Sequence, residues 1–153
     1  MWDPYAEFEK VVLPNGLTIY ATHWSGRAFE TVKILVHSGS AQDPIGLEGL
    51  AHFIEHLVSN NVDEISDEEI ESFFNQQGGF ANLGNTNYPA TEYMFKSLID
   101  KPLISRAFSI FGRMLMEGEI LDGVEKQRDI ITSEFFREYK IPVLVDQVIQ
   151  RNK

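Results

Sequence analysis

The stretch that most constrains this chain runs from Gly46 to Val58 and places His52, Glu55 and His56 in the pattern His-x-x-Glu-His. This is the reversed order of the His-Glu-x-x-His zinc motif. An α-helix turns about 100° per residue, so His52 and His56 lie one turn apart on one face, with Glu55 at about the same side. Leu50, Phe53, Ile54 and Leu57 fall on the other side, roughly 150° away. The segment is therefore expected to pack through one face and to bind metal through the other. Two imidazoles at i and i+4 can chelate one ion, and a carboxylate beside them can take a proton from water held there. Plain surface or core histidines are the competing reading. It is weakened by the partners found further along the chain.

With 153 residues, 43% of them apolar and 24% charged, the chain has the profile of one soluble globular domain with a real core. The net charge of −10 argues against a nucleic-acid partner and suits basic or neutral peptides. Cysteine is absent, so any metal must take nitrogen and oxygen ligands. That absence fits a reducing compartment. The stretch Met1 to Glu9 has neither a basic region nor an apolar one of the secretory type, and no run approaches a membrane span. A bacterial cytoplasm is the expected compartment and no membrane partner is expected. An organelle matrix, with a transit peptide removed, is the alternative.

Glu9–Leu13 and Leu17–Thr22 are β-rich runs around Pro14-Asn15-Gly16, a hairpin signal. Glu30–Ser38 reads as a third strand with Val32, Ile34 and Val36 on one face. After the His-x-x-Glu-His helix, an acidic helix is expected over Asp63–Phe74, with Ser66 and Glu69 as a capping box and Gly78-Gly79 after its end. Its Asp67, Glu68, Glu69 and Glu71 read as a solvated face. Phe80–Asn87 and Thr91–Leu98 read as strands, and Lys101–Met116 as a helix whose Met114 and Met116 fill the core. A last helix runs from Gly123 to about Lys140, with Pro142 as a break. The order β-β-β-α-α-β-β-α-α implies an α+β fold, a mixed and mostly antiparallel sheet with helices on one face. Val143–Ile149 is apolar with helical period and has nothing after it to pack against, which suggests a chain cut short or docked on another.

A catalytic zinc takes three protein ligands and keeps one position open. His23 and His37 read as surface or sheet residues. Glu134 is the better candidate, because Ile130 and Ile131 straddle its position one turn earlier, and a carboxylate between buried isoleucines needs a compensating charge. Glu138 shares its face one turn later, near the end of the helix, whereas Glu125 points the opposite way.

Four stretches together resemble the N-terminal part of the pitrilysin, insulinase and mitochondrial processing peptidase family of zinc peptidases. They are Leu13-Pro-Asn-Gly-Leu-Thr18, Gly49-Leu-Ala-His-Phe-Ile-Glu-His-Leu57, Gly78-Gly-Phe-Ala-Asn82 and Gln127-Arg-Asp-Ile-Ile-Thr-Ser-Glu134. The resemblance implies that His52, His56 and Glu134 hold one zinc, Glu134 lying 78 positions after His56 as in that family, and that Glu55 is the general base. It implies that Asn82 bonds the substrate backbone and that a neighbouring strand edge takes the peptide as an added strand. Gln127 stands where the family often has a second, supporting acidic residue; it carries no charge, which bears on rate more than on zinc binding. The stretch after Asn82 is slightly longer than usual.

The family builds its site between two similar domains, each longer than this chain. Residues 1–153 are therefore expected to form a single, truncated N-terminal zinc-peptidase domain. The function implied is zinc-dependent endopeptidase hydrolysis of peptides or unfolded polypeptides. The alternative is a zinc-binding subunit or fragment that cleaves only when a second homologous domain or subunit completes the cleft.

Overall fold

The computed structural model describes residues 8–60, 65–116 and 123–138. In chain order they form β1 (Glu9–Val12), β2 (Thr18–Ala21), β3 (Phe29–Val36), a short 3-10 turn at Ser40–Gln42, α1 (Leu50–Ser59), α2 (Asp67–Asn75), β4 (Phe80–Thr86), β5 (Thr91–Leu98), α3 (Lys101–Met116) and α4 (Val124–Glu138). This is the element order expected from the hydrophobic periods, and the class is α+β.

Strands β3, β5 and β4 make one antiparallel sheet in that spatial order, so β4 is an edge. The β1–β2 hairpin is a separate two-stranded unit whose residues are all exposed. Its turn is closed by the Leu13 amide on the Leu17 carbonyl at 2.9 Å and by the Asn15 side chain, which accepts from the Leu17 amide at 3.1 Å. The central strand β5 alternates strictly, with Thr91, Tyr93, Phe95 and Ser97 buried. Helices α2 and α3 cover that face: Ile70, Phe74, Ala107, Ile110, Phe111 and Met114 join Tyr93 and Phe95 in one core cluster. The rings of Phe74, Phe95 and Phe111 meet at centroid separations of 4.9 to 6.2 Å. Burying each such ring contributes about 2–3 kcal/mol.

Helix α2 starts at the expected capping box. The Glu69 amide donates to Ser66 Oγ at 3.3 Å and the Ser66 amide donates to Glu69 Oε2 at 2.9 Å. The strand with the extra length is accommodated by a β-bulge: Asn82 pairs with Met94 and Asn85 with Glu92, so Leu83 and Gly84 together oppose Tyr93.

Two packing expectations need correction. Met114 is in the core, but Met116 is 82% exposed. The buried stripe of α3 is Ala107, Ile110, Phe111 and Met114, and a residue two positions beyond it turns about 200° away. On α1, Ile54 is exposed while Glu55 is buried, the reverse of the simple amphipathic reading. The helix lies along β4, and Glu55 rather than Ile54 faces that strand. Pro142 and Val143–Ile149 lie outside the described residues. Among the described residues no helix is long and apolar enough to cross a membrane.

Candidate metal centre

The site is built on α1. Its first turn is fixed by Asp43, whose carboxylate accepts from the amides of Gly49 at 2.7 Å and Ala51 at 2.8 Å. Gly49 occupies the N-cap position with φ of +95°, a left-handed conformation that favours glycine, and glycine has no side chain to cap with, so Asp43 serves from the preceding loop. Helical spacing then brings the two imidazoles together: His52 Nε2 and His56 Nε2 are 3.1 Å apart.

Helix α4 packs beside α1 and brings the Glu134 carboxylate to the two imidazoles. Glu134 Oε2 is 3.4 Å from His56 Nε2 and 3.8 Å from His52 Nε2. A tetrahedral zinc about 2.0–2.1 Å from each donor holds those donors about 3.4 Å apart. The three observed separations bracket that value, and two imidazoles with one carboxylate are a donor set that zinc accepts. The residues therefore fit the metal. Ile130 is 36% exposed, so Glu134 is not enclosed between buried isoleucines; it is brought here by the packing of α4 on α1.

Glu55 is 8% exposed and offers a carboxylate oxygen within 4.8 Å of a ring nitrogen of each histidine. Its Oε2 accepts from Thr86 Oγ1 at 3.1 Å. Its negative charge is felt by Tyr93, whose hydroxyl is pushed up to about 12, first by burial and then by Glu55.

Gln127 is 1% exposed, and its Oε1 lies 3.3 Å from His56 Nδ1. An amide oxygen only accepts, so this contact puts the His56 proton on Nδ1 and leaves the Nε2 lone pair facing His52 and Glu134. Asn82 makes its contact within the bulge, where Oδ1 accepts from the Gly84 amide at 3.1 Å. His23 and His37 are exposed, and Glu125 is exposed and paired with Arg128. Glu138 closes α4, and its side chain lies outside the described residues. Asp43 and Thr86 also serve the site. Both act across loops or strands, and an acidic residue in a loop or a threonine in a strand carries no local signal of that.

Comparison with known proteins adds to this geometry. The family described as insulinase, peptidase family M16, matches residues 19–142. The chain is 32% identical over 139 residues to the mitochondrial-processing peptidase subunit beta of Saccharomyces cerevisiae, which covers 90% of this chain and 29% of that protein. It is 27% identical over 130 residues to a protein named zinc protease PqqE from Helicobacter pylori, covering 82% and 28%. Its fold is similar to a protease from Helicobacter pylori at a TM-score of 0.73 and 22% identity, over 84% of this chain and 31% of that one. It is also similar to a peptidase M16 inactive domain from Pseudomonas fluorescens at a TM-score of 0.72 and 14% identity, over 86% and 31%. The chain thus spans under a third of the length of the relatives it matches.

Proposed function

The chain belongs to the insulinase family of peptidases, and from that premise we propose that it is the metal-binding portion of a zinc-dependent metalloendopeptidase. The observation that carries the proposal is the convergence of His52 Nε2, His56 Nε2 and Glu134 Oε2 at 3.1 to 3.8 Å, with Glu55 alongside. The same fold serves an inactive domain, so fold alone does not argue for activity; the complete donor set does.

His52, His56 and Glu134 would hold one zinc. When bound, zinc supplies a Lewis acid that acidifies water and polarises a carbonyl oxygen. Glu55 takes the proton of the attacking water and delivers it to the leaving amine. Gln127 holds His56 in the tautomer that presents Nε2. Asn82 fixes the bulge through its oxygen and offers its amide donors to a peptide laid along the β4 edge. The substrate class is peptides or unfolded polypeptides.

In the full-length protein, Glu55→Gln should keep its zinc and lose about 10²–10⁴-fold in kcat. Undiminished turnover would sink the role given to Glu55.

A second reading has its own support: residues 1–153 alone are a zinc-binding piece that needs a second domain or subunit to complete the substrate cleft. The chain spans 29% of its Saccharomyces cerevisiae relative, and Val11, Val12, Leu17 and Tyr20 of the hairpin region are exposed apolar surface. Mixing residues 1–153 with the remainder of the protein tests this. Hydrolysis in the mixture only supports it, and hydrolysis by residues 1–153 alone contradicts it.

A further inference from the structure

We infer that Thr86 positions the Glu55 carboxylate, and that the Leu83–Gly84 bulge exists to bring Thr86 and Glu55 together. The inference rests on the reading of Glu55 as general base.

A carboxylate as buried as Glu55 is costly without donors. Among the described residues its hydrogen-bond donor is Thr86 Oγ1, at 3.1 Å from Oε2. The direction of that donation is fixed by the next hydroxyl. Thr91 Oγ1 donates its one proton to the Ser38 carbonyl at 2.7 Å and lies 3.3 Å from Thr86 Oγ1. The Thr86 proton is then directed to the anion, where a charge-assisted bond is the stronger choice.

Strand register explains why Thr86 can reach. Residues directly opposite in an antiparallel pair share a face. Asn82 pairs with Met94, on the face away from the buried Tyr93 and Phe95. In a regular strand Thr86, four residues on, would share the Asn82 face. The extra residue of the bulge shifts the alternation by one, so Thr86 pairs with Thr91 and turns to the buried face.

The bulge is also fitted to Glu55. A Cβ on Gly84 would lie 2.2 Å from Glu55 Oε1 and 2.6 Å from both Cδ and Cγ, so a larger residue there would push the Glu55 carboxylate out of its present position. Two contacts hold the bulge in place. Asn82 Oδ1 accepts from the Gly84 amide, and Ser59 Oγ, one turn beyond Glu55 on α1, lies 2.7 Å from the carbonyls of both Leu83 and Glu55 and shares its one proton between them. Ser59 thus ties the helix to the bulge one turn beyond the carboxylate, and Thr86 meets the carboxylate itself.

The test uses the full-length zinc-loaded protein with Thr86→Val, Thr86→Ser and Gly84→Ala, and Glu55→Gln as reference. Thr86→Val should keep one zinc per chain and its KM, and lose about 10²-fold in kcat, the effect of a misplaced catalytic group. Its crystal structure should show the Glu55 carboxylate turned from its wild-type position. Thr86→Ser should restore most of the rate. Gly84→Ala, which leaves Thr86 intact, should lose kcat in the same way and covers the case in which Thr86→Val fails to fold. A wild-type kcat in Thr86→Val or in Gly84→Ala, or a Thr86→Ser as slow as Thr86→Val, overturns the inference while leaving Glu55 as base. Full turnover in Glu55→Gln overturns the base assignment, and the inference falls with it.

Discussion

His56 is held from behind by Gln127: Nδ1 lies 3.3 Å from the Oε1 of a side chain that is 1% exposed. The contact ties α4 to α1. Gln127→Leu should weaken zinc binding about 10–100-fold, because the imidazole loses the group that fixes its tautomer and orientation. Gln127→Glu should bind zinc at least as tightly, since a carboxylate raises the basicity of the ring. Competition with a chelator reads both. Equal affinity in wild type and Gln127→Leu would remove Gln127 from the site.

The cap supplied by Asp43 gives a second prediction. Asp43→Ala leaves the Gly49 and Ala51 amides without their acceptor and should cost about 1–2 kcal/mol. Chemical denaturation of the purified protein measures it. A cost within about 0.5 kcal/mol, ordinary for a surface change, would mean that the amides find other acceptors.

The register of α3 is checked by its two methionines. Met114, 2% exposed, packs in the core cluster, and Met114→Ala should cost about 2–5 kcal/mol. Met116→Ala should lie within about 0.5 kcal/mol of wild type, because that side chain is 82% exposed. Equal effects would contradict the helix orientation.

Tyr93 predicts an alkaline limb of stability. Its hydroxyl is pushed up to about 12 in the fold, whereas an unfolded tyrosine titrates near its ordinary value of 10.0. The fold therefore favours the neutral phenol. That contribution is complete below the unfolded value and is lost as pH rises from there through about 12. Denaturation midpoints across that window should fall more steeply in wild type than in Tyr93→Phe. Parallel curves would contradict the assignment.

Much of this architecture is legible in the sequence because it is periodic or local. The order of strands and helices, the Ser66–Glu69 box and the approach of His52 to His56 follow from spacings of two, three and four residues. What escaped depends on tertiary position. Glu55 is more buried than Ile54 because β4 lies on its side of α1, which no helical wheel contains. Glu134 reaches the histidines through helix packing, even though Ile130 beside it is exposed. Met116 has the chemistry of the core and the wrong angle for it. The bulge at Leu83–Gly84 is one surplus residue, and the sequence registers it as extra length without saying that it turns Thr86 inward.

The central claim is that His52, His56 and Glu134 form one zinc site within residues 8–138, and its most direct test is metal content. Purified residues 1–153, dialysed exhaustively and measured by elemental analysis, should hold close to one zinc per folded chain, and Glu134→Ala should hold far less. A folded chain with no zinc would contradict the claim, and so would a Glu134→Ala variant that keeps the full complement.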